Sequence, residues 1–359
     1  MLFEPFCFSG LELRNRMVRS ATYEKRADED GFVTDALIGL YKDLSRGGVG
    51  LIITGNALVH PSGRSVPQML CIHSDIYIPK LKKLTGAVHE LEGIIAIQLV
   101  HGGRQCFSLL LGGNQSIAPS AVYDPSTEIM PREITDREIW ETVEAFAEAA
   151  GRARMGGFDA VQIHGAHGYL VSGFLSPHTN RRDDYWGGDE ERRFHFLEEV
   201  YKQVRVEVGG DYPVMIKING DDMIEGGVKP GEAARIARRL EELGIDAVEV
   251  SGGMYEAGNK TIQPDILSED QEAYFGEAGK LFKENLKIPV MVVGGMRSRH
   301  VMENVLEKGV ADLISLSRPL IREPDLPNKF KEGKDKADCI SCNGCLEFEK
   351  LDIVKCVCK

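Results

Sequence analysis

Three side chains that can exchange protons, His164, His167 and Tyr169, lie within six residues of one another. They follow a short apolar run, residues 160–163, which has the pattern of a strand buried on both faces. Glycines between them let the backbone leave that strand sharply. Two imidazoles can hydrogen-bond an oxygen of a bound molecule, and a phenol can supply a proton. The alternative is a polar loop whose histidines satisfy local backbone groups, but three titratable groups at one strand end favour a catalytic site.

A second group of residues suits an anion. Gly294 and Gly295 follow one apolar run near the C-terminus, and Ser317 and Arg318 follow the next. Backbone N–H groups freed by glycine can form an anion-binding nest, and arginine adds a charged, forked donor. The pattern predicts a phosphate site; the alternative is two ordinary glycine turns beside a surface arginine.

The end of the chain is rich in thiols. Cys339, Cys342 and Cys345 are spaced CxxCxxC, and Cys356 and Cys358 follow. Thiolates at this spacing can bind an iron–sulfur cluster or zinc. The candidate metal ligands are Cys339, Cys342, Cys345 and Cys356. Besides a cluster and zinc, the third alternative is a tail that binds no metal. The other three cysteines of the chain are expected to be packing residues.

The elements that must position these groups alternate regularly along the chain. Apolar runs predict a β-hairpin over 3–14 and then eight strands, near 16–20, 50–54, 94–99, 160–164, 213–218, 246–250, 289–293 and 312–316. Apolar residues at helical spacing predict helices at 34–46, 78–91, 135–155, 189–207, 230–243, 268–285 and 298–308.

This alternation is typical of the α/β class and predicts a single (β/α)₈ TIM barrel over residues 1–330, with an N-terminal β-hairpin and a Cys-rich C-terminal tail over 331–359. A doubly wound sheet is the structural alternative. In such a barrel functional groups follow the carboxyl ends of the strands, so the groups above should meet at one mouth.

Bulk composition restricts the partners. The net charge of -12 argues against nucleic acid and against an anionic membrane surface. No apolar stretch reaches the length of a membrane span, and no signal peptide is evident. We therefore expect a cytoplasmic enzyme, acting as a homo-oligomer on a small molecule.

The longer string around the histidines carries a resemblance. His-Gly-Ala-His-Gly-Tyr-Leu, then Phe-Leu-Ser-Pro and Asn-Arg-Arg-Asp-Asp-Tyr-Trp-Gly-Gly, resembles the core signature of the old yellow enzyme family of flavin oxidoreductases. The resemblance covers roughly residues 1–330 and implies FMN over the mouth of one barrel, with NAD(P)H as reductant. Ser20, Ala21 and Thr22 match the segment that flanks the flavin ring in the family. Asn56 and Gln98 match its flavin-ring contacts, and Lys217 is a further candidate for binding the cofactor. The residues that match its phosphate clamp are Gly295, Ser317 and Arg318.

Lys217 stands where many members of the family have arginine. A cation there costs desolvation energy unless an anionic partner is present, and the pyrimidine side of a reduced flavin offers one. Gln98 can bond the same edge as both donor and acceptor. The alternative for Lys217 is a solvated strand end beside Asp221 or Asp222.

The resemblance also implies a mechanism. His164 and His167 would hold the oxygen of an unsaturated carbonyl-type substrate, flavin N5 would deliver hydride to its β-carbon, and Tyr169 would protonate its α-carbon. Two alternatives stay open: an electron-transfer subunit that works with a redox protein partner, and a flavin-free isomerase or aldolase.

The tail and Tyr23 depart from the simple pattern. The tail resembles that of the 2,4-dienoyl-CoA reductase branch, which carries a [4Fe–4S] cluster and usually spaces its third cysteine one residue further on. Many relatives have Thr or Cys at the position of Tyr23, so its role stays open.

Overall fold

Eight parallel strands close into a barrel in the computed structural model, which describes residues 1–358. They are β1 Met17–Arg19, β2 Leu51–Leu58, β3 Ile95–Val100, β4 Ala160–Gly165, β5 Val214–Asn219, β6 Ala247–Ser251, β7 Val290–Val292 and β8 Leu313–Leu316. Each strand pairs with the next, and β8 pairs with β1, so the sheet has no open edge within the barrel. The predicted TIM barrel is confirmed.

Helices surround the barrel because each presents one apolar face to the sheet. They are α1 Asp35–Arg46, α2 Ile78–His89, α3 Asp136–Met155, α4 Glu190–Val208, α5 Pro230–Leu243, α6 Gly276–Asn285 and α7 Arg299–Glu307. A capping box begins α3: Thr135 Oγ1 accepts from the Glu138 backbone N–H, and the Glu138 carboxylate accepts from the Thr135 N–H. None of the helices among the described residues is both long enough and apolar enough to cross a membrane.

The prediction of one helix over 268–285 was too long. Ser268 is the N-cap residue of a capping box, but only a short 3₁₀ turn, Glu269–Gln271, follows it. Ala273 adopts a φ of 54°, which a right-handed helix does not allow, so α6 begins only at Gly276. Sequence patterns also missed three short helices, Leu170–Leu175, Arg318–Arg322 and Leu326–Lys331, and two small additions to the sheet structure, Leu70–Cys71 beside β2 and the pair Ile117–Ala118 with Arg132–Glu133.

The N-terminal hairpin closes the bottom of the barrel. Its strands, Phe6–Phe8 and Leu11–Leu13, pair antiparallel as predicted. Three of their side chains, Phe8, Leu11 and Leu13, join an apolar cluster with residues from the first half of the barrel strands, such as Met215 and Met291. This layer fills the lower end of the barrel with apolar side chains.

Above that layer the barrel interior turns polar. Gln98, Gln162, Lys217 and Glu249 are all buried and come from four consecutive strands, β3 to β6. Barrel interiors are ordinarily filled by branched apolar residues. A polar layer at this height indicates that the upper half of the barrel serves a ligand rather than the core.

The tail folds back onto the barrel mouth. The Tyr23 ring meets the Phe348 ring edge-on at 5.1 Å, and Lys25 Nζ donates to the carbonyls of Phe348 (2.9 Å) and Leu351 (2.8 Å). The Val354 N–H donates to the Glu24 carbonyl at 3.0 Å. The loop after β1 therefore anchors the tail, and Tyr23 acquires a packing partner that the sequence did not suggest. The division of domains at 330 and 331 stays a prediction.

Candidate active site

The three proton-handling side chains predicted at the end of β4 do meet. The His164 and His167 rings lie 5.2 Å apart, and the Tyr169 ring lies 4.8 Å from His164, each pair edge to face. His164 is buried, and Tyr169 lies against the core at the start of the helix Leu170–Leu175. The cluster is therefore a packed feature of the barrel and not a mobile loop.

A tight left-handed turn produces this convergence. His167 has a φ of 64° and Gly168 a φ of 83°; a non-glycine residue in this region is uncommon and often marks a functional site. Asn219 at the end of β5 accepts from the His167 backbone N–H at 3.1 Å, and Gln105 donates to the His167 carbonyl at 2.7 Å. The turn is thus held from two neighbouring loops.

Both imidazoles are neutral donors at neutral pH. Burial, with the neighbouring His167 and Lys217, holds the pKa of His164 well below its usual range, and burial with Lys217 lowers the pKa of His167 to about 3. His164 Nδ1 accepts from the Ala166 N–H at 3.3 Å, so its ring proton lies on Nε2. His167 Nε2 lies 2.8 Å from Ser251 Oγ.

Tyr169 keeps its proton. Burial, aided by Tyr255 and Cys106, raises its pKa to about 12. A phenol in this state can donate a proton without first having to collect one.

Lys217 has a partner other than those considered from the sequence. Its Nζ lies 3.4 Å from Glu249 Oε2 and donates to Ser20 Oγ at 2.9 Å. The alternative interpretation of Lys217, a solvated strand end beside Asp221 or Asp222, was wrong. Lys217 is buried, and Asp222 accepts from Asn219 at 2.9 Å. Burial lowers the pKa of Lys217, and Glu249 opposes that shift.

A continuous hydrogen-bond chain crosses the barrel below the mouth. Gln98 Nε2 donates to Gln162 Oε1 at 2.7 Å, and Gln162 Nε2 donates to Glu249 Oε2 at 2.8 Å. Ser20 donates to Glu249 Oε1 at 2.6 Å. Sequence reasoning missed Gln162 and Glu249; a polar residue inside an otherwise buried strand run was the only available signal.

One cavity of about 700 Å³, its open mouth included, brings together residues from distant parts of the chain. Predicted site residues that line it are Ser20, Ala21, His167, Lys217, Gly295, Ser317 and Arg318. The remaining predicted residues do not line it; they are Thr22, Asn56, Gln98, His164, Tyr169 and Gly294.

The end of the cavity near β7 and β8 suits an anion. Gly294 and Gly295 have φ values of 149° and 69°, and a Cβ at Gly295 would lie 2.7 Å from the Tyr274 ring, so only glycine fits there. Ser317 Oγ lies 2.8 Å from Thr22 Oγ1. Of the predicted phosphate-site residues, Gly295, Ser317 and Arg318 line this cavity.

Arg318 is held by three acceptors. It donates to the Gln263 carbonyl at 2.8 Å, the Ser341 carbonyl at 3.3 Å and Asn343 Oδ1 at 2.6 Å. Two of these acceptors belong to the tail, so the tail orients the charge that faces the cavity.

Two of the buried polar atoms that lack a hydrogen-bond partner within residues 1–358 belong to the candidate site, one to a predicted flavin contact and one to the cavity lining. They are Asn56 Oδ1 and Ser315 Oγ. Buried polar groups are almost always paired in folded proteins. These atoms are therefore suited to a polar ligand.

All five tail cysteines line a second, smaller space that shares Arg318 with the main cavity. Cys342 Sγ lies 3.4 Å from Cys358 Sγ, and Arg322 lies 3.2 Å from Cys356 Sγ. Across the described part of the chain, however, no three His, Cys, Asp or Glu side chains converge closely enough to hold a metal. The metal ligand set Cys339, Cys342, Cys345 and Cys356 remains a prediction that this arrangement does not meet.

Outside the tail, the expectation for the cysteines was right for two and wrong for one. Cys71 and Cys106 are buried, whereas Cys7 is exposed on the hairpin.

A network of charged side chains that the sequence did not reveal connects loops at the barrel mouth. Arg104 is buried and pairs with Glu256 at 2.7 Å and Asp124 at 3.4 Å. His178 lies 3.2 Å from the same Glu256. These contacts tie together loops that follow β3, β4 and β6.

Residues 1–337 match the NADH:flavin oxidoreductase / NADH oxidase family. The chain belongs to this family. The match confirms the predicted old yellow enzyme relationship and the oxidoreductase class, and it supports flavin and nicotinamide chemistry.

Individual relatives agree. The chain is 38% identical to an NADH oxidase of Thermoanaerobacter brockii over 96% of its own length and 53% of that protein. It resembles a solved 2-naphthoyl-CoA reductase complex with a TM-score of 0.89 and 29% identity, covering 96% of this chain and 54% of that one. An old yellow enzyme homologue from Zymomonas mobilis gives a TM-score of 0.81 and 29% identity, covering 94% and 95%. The chain thus spans about half the length of the first two.

Proposed function

We propose that this chain binds FMN at the barrel mouth and reduces an activated C=C bond of a small unsaturated carbonyl-type compound with electrons from NAD(P)H. The observation that carries the proposal is the pairing of His164, a neutral N–H donor, with Tyr169, a protonated phenol, at one buried site. Simple electron transfer needs no proton donor.

The residues present fit FMN. The cavity opens at the barrel mouth and is lined by residues that lie in or after β1 and β4 to β8. Asn56 and Lys217 offer polar groups suited to the flavin ring, and Ser317, Arg318 and the two glycines offer a phosphate site. When bound, FMN would supply the hydride, which carries two electrons, for the β-carbon of the substrate.

The protein side chains then have separate tasks. His164 Nε2–H donates to the substrate oxygen and stabilises the negative charge that develops there. His167 lies beside it and offers the second donor by exchanging its contact with Ser251. Tyr169 gives its proton to the α-carbon, so that one hydride and one proton together saturate the double bond.

The decisive experiment is spectroscopic. Purified protein offered FMN should turn yellow, lose its colour anaerobically with NADH or NADPH, and regain it on addition of a conjugated carbonyl compound. 2-Cyclohexen-1-one and 2-naphthoyl-CoA are suitable first probes, the latter because a structural relative was solved with it. Protein that stays colourless after FMN is offered contradicts the proposal.

The phosphate end can be tested separately. Arg318→Ala should weaken FMN binding by roughly 10- to 100-fold, since a hydrogen bond to a charged group contributes about 1.5–3 kcal/mol. Riboflavin, which has no phosphate, should bind the variant and the wild-type protein alike. Arg137→Ala, on an exposed part of α3, is the matched control. An equal loss for riboflavin contradicts the assignment.

A second candidate function rests on the tail. Five cysteines line one space that shares Arg318 with the flavin cavity, as an electron-transfer subunit with a cluster and a protein redox partner would require. Because the thiols do not converge on one metal position, we derive no step through a cluster. Iron and sulfide analysis, beside turnover of the conjugated carbonyl compound, distinguishes the two functions.

A further inference from the structure

Glu249 is the most deeply buried charge in the barrel interior. Its side chain is 0% exposed, and its partner Lys217 is 4% exposed. The two residues lie directly opposite each other in the register of β5 and β6. Of the two, Lys217 lines the cavity and Glu249 does not.

Stability alone does not explain this pair. Removing two charges from water costs several kcal/mol per ion, and apolar residues of similar volume often serve a core at least as well. The layer beneath contains such apolar residues, including Ala247 on the same strand. A carboxylate at this height therefore points to a role toward the cavity.

We infer that Glu249 is a positioning residue that sets the redox potential of the bound flavin by offsetting the charge of Lys217. This inference rests on the proposed FMN site. An unopposed lysine beside the pyrimidine side of the flavin would strongly favour the negatively charged reduced form. A carboxylate 3.4 Å from Lys217 Nζ reduces that effect and keeps the flavin a stronger reductant.

The same carboxylate fixes the direction of the glutamine chain. A carboxylate only accepts hydrogen bonds, so Gln162 must turn its amide NH₂ toward Glu249. Its oxygen then faces Gln98 and accepts from Gln98 Nε2. Gln98 consequently keeps its own oxygen free as an acceptor for a ligand N–H.

Glutamine at position 249 tests the role because it keeps the shape and removes the charge. In Glu249→Gln with FMN bound, the flavin midpoint potential should become more positive. A tenfold gain in the ratio of reduced to oxidised flavin at fixed poise corresponds to about 30 mV for a two-electron couple. Glu242→Gln, which removes an exposed carboxylate paired with Arg238, should leave the potential unchanged.

A second background shows whether Glu249 acts through Lys217. The positive shift caused by Glu249→Gln should be several-fold smaller when Lys217 is already methionine. A shift of equal size in both backgrounds overturns the inference, as does a wild-type potential in the flavin-loaded Glu249→Gln protein.

A further variant covers the case in which glutamine prevents folding. Glu249→Asp keeps the charge but withdraws it from Lys217 by one methylene, so a smaller positive shift is expected, and none would overturn the inference. Wild-type protein that binds no FMN overturns this inference together with the proposed function. Flavin-loaded variants whose potential does not move overturn this inference alone.

Discussion

The Tyr169 ring lies edge-on to the His164 ring, with centroids 4.8 Å apart and planes inclined by 76°. Burial acts on the two groups in opposite directions, lowering the pKa of the imidazole and raising that of the phenol to about 12. At neutral pH the site therefore holds an uncharged N–H donor beside an O–H group that retains its proton. The reduction proposed above assigns a role to each of these groups.

Replacing Tyr169 by phenylalanine should separate the two half-reactions. Flavin reduction by NAD(P)H should stay near the wild-type rate, and reoxidation by 2-cyclohexen-1-one should slow by roughly 10²- to 10⁴-fold, because the proton donor is lost. Stopped-flow absorbance of the flavin measures both steps. Tyr185→Phe, in an exposed ring stacked on His195, is the control. Equal slowing of both half-reactions would show that Tyr169 has a structural role instead.

Replacing His164 by alanine should remove a donor to the substrate oxygen. The oxidative half-reaction should slow by about 100-fold or more, while FMN binding is retained. Rapid mixing of the reduced variant with the enone measures the loss. His89→Ala, at the end of α2 and distant from the mouth, should react like wild type. Full turnover by the His164 variant would remove this residue from the mechanism.

His101 should make the fold sensitive to acid. It is buried against Ser62 Oγ (2.9 Å) and the Gly103 N–H (3.1 Å), and burial lowers its pKa to about 3 from the ordinary 6.5. The unfolded chain takes up this proton below pH 6.5 and the folded chain only near pH 3, so stability falls as the pH falls between these values. At pH 5 the cost is about 2 kcal/mol.

The test compares urea unfolding at pH 7 and pH 5. In His101→Gln the difference in unfolding free energy between the two pH values should be smaller by about 2 kcal/mol than in wild type. His300→Gln, whose side chain is exposed, should keep the wild-type difference. An unchanged difference in His101→Gln would mean that another group carries the acid response.

Replacing Phe348 by alanine should loosen the tail. The edge-on contact with Tyr23 contributes about 1 kcal/mol, so the population of the opened tail should rise roughly fivefold. Alkylation of Cys345, which is buried in the closed state, should accelerate to the same degree. Mass spectrometry after timed iodoacetamide treatment gives the rate, and Phe107→Ala, in an exposed side chain, is the control. A wild-type rate would show that the Tyr23 contact does not hold the tail.

The barrel and most of its mouth were predictable because they follow from local patterns. Each strand is a short run buried on both faces, such as Val214–Asn219. The predicted boundaries matched within one residue except at the end of β2, which was predicted at 54 and lies at Leu58. Parallel strands in a barrel place their carboxyl ends together, so residues as distant in sequence as Ser20 and Arg318 could be expected at one cavity.

The polar layer was not predictable because it depends on register. The sequence offers Asp221 and Asp222 as the nearest carboxylates to Lys217, whereas its partner in the fold, Glu249, lies on the adjacent strand. Nothing in a run of five residues shows which one faces a lysine across the sheet. The same holds for the anchoring of the tail, which depends on Tyr23 and Phe348 meeting across more than 300 residues of chain.

The single guanidinium at position 318 has a consequence for handling this protein. The Nη1 of Arg318 donates to Ser341 and Asn343 of the Cys-rich tail, and the same side chain lines the large cavity. Oxidative or proteolytic damage near Ser341 would therefore free the Arg318 side chain first. In a flavin-loaded sample we expect the yellow colour to be lost before the barrel itself unfolds.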